Sequence, residues 1–150
     1  MGQNDTPPGN AAAATRTGAR PGPAVREFLA RGHGLHIGGA WVAPRDGTPL
    51  QAQDPATGEV LATVPGAGRA DVDATVRAAR QAFESGPWPG MAPSDRSQVL
   101  WRLADLLEAH GQVLTELEVL NTGMPLNGGG ALAVPGAARM LRYYAGWPSK

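Results

Sequence analysis

The sequence predicts an α/β fold in which a short β-meander is followed by three amphipathic helices. Residues 35–64 alternate apolar and polar positions between turn signals, which is the pattern of short strands. After Gly68 the apolar residues recur at helical spacing, in three stretches separated by glycine and proline. The length of 150 residues fits about one domain.

Residues 1–34 are predicted to form a disordered or loosely ordered arm. The arm contains proline, glycine and alanine runs, and it has few aromatic or β-branched residues to offset the entropy lost on ordering. Three arginines without an acidic residue between Thr6 and Arg26 faintly resemble a transit peptide, but the prolines and glycines oppose an amphipathic helix. The folded part is therefore expected at residues 35–150.

Three strands account for the alternating segment. The first covers residues 35–43 and ends at the turn signal of residues 44–47. The second covers residues 50–53, and the third covers residues 60–64 after the proline and glycine turn of residues 54–58. A meander is the simplest arrangement of three consecutive short strands.

The first predicted helix begins after Gly68 and ends at Gly86. Asp71 and Asp73 fall in its first turn, where acidic side chains are favourable. Its apolar positions are Val72, Val76, Ala79 and Phe83.

The second predicted helix begins at the N-cap Ser94 and ends at residues 123–125. Gly111 inside a helix costs about 1 kcal/mol relative to alanine, so a bend or two abutting helices are expected near His110. Its wide apolar face consists of Val99, Leu103, Leu106, Val113, Leu117 and Leu120, with Leu100, Leu107 and Leu114 beside them.

The third predicted helix begins near Ala133, after the glycine run of residues 128–130. Its inward residues are expected to be Val134, Ala137, Leu141 and Tyr144. Three such helices and a small meander cover only part of their apolar faces on one another. An apolar patch left uncovered usually indicates a missing partner surface, so the sequence looks like a part of a larger protein.

Composition excludes several function classes. The 13 basic and 13 acidic residues balance, so a nucleic-acid partner is not expected. The chain has no cysteine, which excludes disulfides, thiolate zinc sites and a cysteine nucleophile within these residues. No apolar run approaches the ~18 to 20 residues of a membrane span, and no secretory signal is present, so we expect no membrane and a cytoplasmic location.

The glycine loop of residues 64–71 lies between a strand and a helix, which is where a phosphate-binding loop would stand. A dinucleotide loop needs a third glycine at its end, and this loop has Asp71 there, which would place a carboxylate beside the pyrophosphate. We therefore predict a plain turn.

Other polar and aromatic groups are assigned structural roles. His33 and His36 lack the further ligands that zinc needs, so a solvated pair is expected, and His110 is expected to cap helix carbonyls. Glu116 and Glu118 lie two residues apart on a helix, so they point to different faces and cannot form an acid and base pair. The aromatic residues Tyr143, Tyr144 and Trp147 are more typical of core or interface anchors than of a ligand-stacking platform.

The segments together resemble the start of the aldehyde dehydrogenase superfamily, from about Val25 to Lys150. The most specific segment is LRYYAGW, and the turn DPATGEV matches the family's Asn/Asp-Pro-x-Thr-Gly-Glu pattern. The matching segments, in the family's order, are residues 35–42, 54–60, 71–73, 86–88, 102–107 and 141–147.

The resemblance implies an enzyme with a nucleotide-binding domain, a catalytic domain and an assembly arm, usually a homodimer or homotetramer. Residues 35–150 would be the N-terminal part of the nucleotide-binding domain, packed on a Rossmann-like sheet that this chain does not contain. In the family a cysteine thiolate adds to the aldehyde, hydride passes to NAD or NADP, and a glutamate activates water to release the acid. Those catalytic and cofactor residues lie beyond the position that Lys150 matches, so none is assigned here and no cofactor is expected on this chain alone.

The resemblance maps two peripheral sites. Asn121 stands where many members have an aspartate that helps to hold a structural monovalent cation, and the amide removes that charge. Pro135 and Gly136 stand where the last helix begins near the mouth of the substrate tunnel. Met124 replaces the lysine of the family's Gly-Lys-Pro, which is a second departure from the family pattern.

The alternative to an enzyme segment is a non-catalytic truncated product, or a module that docks on a full-length relative.

Overall fold

The computed structural model describes residues 20–150, which form six helices, four short strands and one wide helical turn. We label them α1 Pro23–Ala30, β1 Leu35–Ile37, β2 Ala40–Val42, β3 Leu50–Gln53, β4 Val60–Val64, α2 Arg69–Ser85, α3 Pro87–Gly90, α4 Pro93–Ala109, α5 Gly111–Thr122, a π-type turn Leu126–Gly130, and α6 Ala131–Ala145. The prediction of mixed α/β structure is confirmed. Within residues 20–150, no helix has the length and apolar character needed to cross a membrane.

The last third of the predicted disordered or loosely ordered arm contains the helix α1. Pro23 supplies the fixed φ that suits the first helical position, and α1 follows. Val25 in this helix is completely buried, which provides the apolar contact that the composition of the arm did not suggest. Residues 1–19 of the predicted arm lie outside the described residues.

The predicted meander is replaced by two separate antiparallel hairpins. β1 pairs with β2, and β3 pairs with β4, but the two pairs are not joined in one sheet. The predicted first strand divides at Gly38 and Gly39, whose φ angles of 62° and 85° are the left-handed values of a two-residue hairpin turn. One strand of the prediction therefore becomes a complete hairpin.

The predicted helices are present, with shifted starts and a confirmed break. α2 ends before Gly86 as expected, and α4 and α5 abut at His110, where the backbone leaves helical geometry. The predicted N-cap Ser94 is wrong, because Ala92 occupies that position and Pro93 opens the helix. α6 begins at Ala131 rather than near Ala133.

The core lies where α4, α5 and α6 meet, and small side chains form much of it. Ala104 of α4 and Ala138 of α6 are completely buried, and Ala145 is 2% exposed. Small residues allow two helix backbones to approach closely. The buried faces of α4 and α6 therefore carry alanines, whereas many of their large apolar side chains are exposed. Of the four residues predicted to point inward on α6, Ala137 and Tyr144 are instead exposed.

Candidate functional site

The glycine loop before α2 crosses a second loop and is closed by a carboxylate. Asp71, which is 1% exposed, accepts hydrogen bonds from the backbone N–H of Gly68 at 3.2 Å and of Arg45 at 3.1 Å. These contacts hold the loop of residues 45–48 against the loop of residues 66–68. The carboxylate therefore occupies the Gly68 N–H, one of the backbone donors at the start of α2 that could otherwise face an anion.

The crossing requires glycine on both chains. A Cβ at Gly47 would lie 1.7 Å from the carbonyl oxygen of Gly66, and a Cβ at Gly66 would lie 1.9 Å from that of Thr48. Both distances are far inside van der Waals contact, so any side chain would separate the loops. These glycines permit a close approach of two backbones, which is a structural role; that the loop binds no dinucleotide phosphate stays a prediction.

The predicted cation position lies beside an apolar groove. Asn121 is exposed near the end of α5 and lines a groove of about 310 Å³ between α1, the β3–β4 hairpin and α5. Most of the lining is apolar, including Phe28, Leu61 and Leu117, with Glu118 as its one acidic group. Within residues 20–150, no group of three or more His, Cys, Asp or Glu side chains is placed to hold a metal ion.

The predicted tunnel-mouth residues lie on α6, away from that groove. Pro135 lies in the interior of the α6 sequence and its side chain is exposed to solvent. Gly136 is half-buried, with open space where a side chain would stand. Neither residue lines the groove at Asn121, so the two mapped sites do not form one pocket.

Arg142 of α6 forms the main polar link to α4. This role was not predicted from the sequence. Its guanidinium donates to Asp105 and Glu108 with N–O distances of 2.5–2.7 Å, and its Cζ lies 5.5 Å from the ring centroid of Trp101. The hydrogen bond from Arg142 lowers the pKa of Glu108, and bonding to both carboxylates raises the pKa of Arg142 above its ordinary value. The spacing of Asp105 and Glu108, three residues apart on one helix face, is the sequence signal that could have found this cluster.

His33, His36 and Glu116 each contact a neighbouring group within the fold. His33 bonds through Nε2 to the carbonyl oxygen of Phe28 at 2.9 Å, and the His36 ring lies 5.0 Å from that of Trp41. Glu116 accepts a hydrogen bond from the backbone N–H of Gly22, at the start of α1. This contact places a negative charge at a helix N-terminus, which is the favourable end.

Large apolar faces remain exposed on three helices. The stripe predicted for α2 is uncovered, with Phe83 75% exposed and Val76 61% exposed. Tyr143, Tyr144 and Trp147 form a cluster with ring centroids 5.2–5.8 Å apart, and all three are about half exposed or more. Other exposed members of these faces are Val72, Val99, Leu103, Leu106, Leu132 and Met140. The prediction that the helices leave apolar surface uncovered is confirmed.

Comparison with known proteins decides the family. Residues 41–150 match the model of the aldehyde dehydrogenase family. The chain belongs to this family. A putative aldehyde dehydrogenase of Bacillus subtilis is 43% identical over 126 residues, which are 84% of this chain and 26% of that protein. A phenylacetaldehyde dehydrogenase of Pseudomonas fluorescens is 44% identical over 118 residues, which are 79% of this chain and 24% of that protein.

Solved structures of aldehyde dehydrogenases are similar to this chain in fold as well as in sequence. The NAD⁺ complex of an aldehyde dehydrogenase from Bacillus cereus is similar with a TM-score of 0.81 at 39% identity, covering 89% of this chain and 27% of that chain. The chain thus spans about a quarter of the length of the aldehyde dehydrogenases that it matches. The structure described above corresponds to their N-terminal part.

Proposed function

We propose that this chain is the N-terminal segment of an NAD(P)-dependent aldehyde dehydrogenase that oxidises an aldehyde to a carboxylic acid, and that the segment alone is catalytically incomplete. The observation that carries the proposal is the similarity of most of the chain to the N-terminal quarter of aldehyde dehydrogenases. The chain has no cysteine, so the thiol that the family uses as nucleophile would have to come from further sequence.

The cofactor is proposed to bind outside this segment. Two features of the glycine loop support this: the Asp71 carboxylate accepts a hydrogen bond from the Gly68 N–H, and its negative charge would repel a pyrophosphate. One related enzyme, from Escherichia coli, is described as NADP/NAD-dependent, and the Bacillus cereus structure contains NAD⁺. Both cofactors are therefore candidates, with an aldehyde as substrate and a cytoplasmic homo-oligomer as the expected form of the enzyme.

Two experiments test the proposal. Sequencing the gene past the codon for Lys150 should show a continuing reading frame that encodes a cysteine. The product of that frame should form NADH or NADPH when an aldehyde is added, whereas the 150-residue chain should not. A stop codon directly after Lys150, or turnover by the 150-residue chain above a tag-only control, would contradict the proposal.

The mapped peripheral sites can be tested in the product of the complete reading frame. Gly136 has open space around its Cβ position, so Gly136→Leu should preserve the fold and raise KM more for bulky aldehydes than for acetaldehyde if it lies at the tunnel mouth. Asn121→Asp should increase stabilisation by Na⁺ or K⁺ over that by a bulky organic cation if this is the cation position. An equal rise in KM for all aldehydes would contradict the tunnel-mouth assignment of Gly136. Equal stabilisation by all cations would contradict the cation assignment of Asn121.

The exposed apolar faces also favour a second candidate, a non-catalytic product that docks on a full-length relative. This candidate requires the faces to be available in solution. If the purified chain stays monomeric and binds no hydrophobic dye, the docking function is excluded.

A further inference from the structure

The turn that leads into α6 contains an asparagine followed by glycine. Asn127 and Gly128 lie in the π-type turn Leu126–Gly130, and Asn127 is exposed. The backbone at Gly128 departs from helical geometry, with φ of −112° and ψ of −112°. The peptide bond between these residues is therefore outside any regular helix or strand.

We propose that Asn127 is a site of spontaneous deamidation through a succinimide formed with Gly128. The Gly128 backbone nitrogen loses its proton to hydroxide and attacks Cγ of Asn127, so that an N–Cγ bond forms. Nδ2 takes a proton from water, which regenerates hydroxide, and the Cγ–Nδ2 bond breaks with loss of ammonia. Water then adds to one of the two imide carbonyls and the ring opens, giving aspartate or isoaspartate. The sequence consumes one water molecule, releases one ammonia molecule and involves no change of oxidation state.

The local structure favours the attacking nitrogen. A glycine nitrogen has no neighbouring side chain to hinder its approach, and the space at the Gly128 Cβ position is open, with Pro125 Cβ nearest at 3.9 Å. The Gly128 N–H must leave its hydrogen bond to the Pro125 carbonyl oxygen, which is long at 3.2 Å. Short turns with few packed contacts are the segments that open most readily.

The chain provides an internal control at Asn121. This asparagine lies inside α5 and is followed by Thr122, whose branched side chain hinders the backbone nitrogen. Helical geometry also holds that nitrogen away from the asparagine side chain. Asn121 should therefore remain an amide under conditions that convert Asn127.

The two products would affect α6 differently. Aspartate at position 127 keeps the normal backbone length and places a negative charge in the turn before α6, on the side of the helix N-terminus. Isoaspartate adds one atom to the backbone of a turn whose length is fixed by bonds from Gly128 and Gly130 to the same Pro125 carbonyl. Only isoaspartate should loosen the junction between α5 and α6.

The test is peptide mapping by mass spectrometry after incubation of the intact chain at neutral and mildly alkaline pH. We expect the mass gain of amide to acid at residue 127, faster at the higher pH, together with the appearance of a separate isoaspartyl peptide. Asn127→Gln should abolish the change, and Gly128→Ala should slow it while retaining the asparagine. An unchanged Asn127 in a chain whose synthetic 123–131 peptide deamidates, or conversion of Asn121 at an equal rate, would overturn the proposal.

Discussion

The carboxylate of Asp71 accepts hydrogen bonds from the backbone N–H of Arg45, 26 residues earlier in the chain. The same carboxylate caps α2 through Gly68. One buried side chain thus joins the loop after the first hairpin to the start of the first long helix, and it does so at the position where a nucleotide loop would have required glycine.

Replacing Asp71 should destabilise the chain. Asp71→Ala leaves two backbone amides without their acceptor, which costs about 1–3 kcal/mol in the free energy of unfolding. Asp73→Ala, on the exposed side of the same helical turn, should change that free energy by about 0.5 kcal/mol or less. Urea denaturation followed by tryptophan fluorescence measures the stability of both variants. Equal shifts in their midpoints would show that the buried carboxylate of Asp71 does not stabilise the chain more than the exposed one of Asp73.

Adding a side chain at the loop crossing should have a large effect. Gly66→Ala puts a methyl group 1.9 Å from the Thr48 carbonyl oxygen, so the loops must separate, at a cost of about 3 kcal/mol or more. Gly32→Ala is the matched control, because no atom lies within 4 Å of its Cβ position. Thermal unfolding should distinguish them, and a Gly66→Ala chain as stable as the control would contradict the crossing.

Removing the Arg142 guanidinium should change the response of stability to acid. Because Arg142 lowers the pKa of Glu108, the pair contributes stability above the ordinary glutamate value of 4.5, and the contribution is lost as the pH falls through the lowered pKa. Arg142→Met should therefore be less stable near neutral pH and lose less stability on acidification. Arg80→Met removes a more exposed ion pair with Glu84 and should leave the acid dependence unchanged. Identical pH profiles for all three chains would exclude a role for Arg142 in acid stability.

Glu116 should hold α1 against α5. Glu116→Ala removes the acceptor for the Gly22 N–H and a favourable charge at the start of α1, which should release this helix at a cost of about 1 kcal/mol. Glu118→Ala removes a carboxylate two residues away and leaves the Gly22 contact in place. Hydrogen exchange of residues 23–30 should accelerate in the first variant alone, and equal exchange in both would argue against this attachment.

The sequence predicted the helices better than their burial. The break at His110 followed from Gly111, and the end of α2 followed from Gly86, because glycine acts locally on the backbone. The buried face of α6 did not follow, since the large side chains of Tyr143 and Tyr144 are exposed and the small Ala138 is completely buried. A hydrophobic stripe indicates that a face is covered in the complete protein, and the covering surface need not be in the same segment.

Two features, the Gly38–Gly39 turn and the cluster at Arg142, were not predicted from the sequence, for different reasons. The Gly38–Gly39 turn was detectable, because two adjacent glycines between alternating residues are a strong hairpin signal. The spacing of Asp105 and Glu108 marks an acidic helix face, but their partner Arg142 is 37 and 34 positions away in the sequence, and no local pattern indicates it. Such tertiary pairs depend on the crossing of α4 and α6, which only the folded structure provides.

The central claim is that the helices of this segment leave large apolar faces exposed to solvent. Binding of a hydrophobic fluorescent dye to the purified 150-residue chain tests it most directly. We expect strong dye fluorescence that decreases when Val76 and Phe83 of α2 are both replaced by serine, since these side chains are 61% and 75% exposed. Background fluorescence from a chain that melts in one cooperative transition would contradict it, because the helix faces would then be covered within the segment itself.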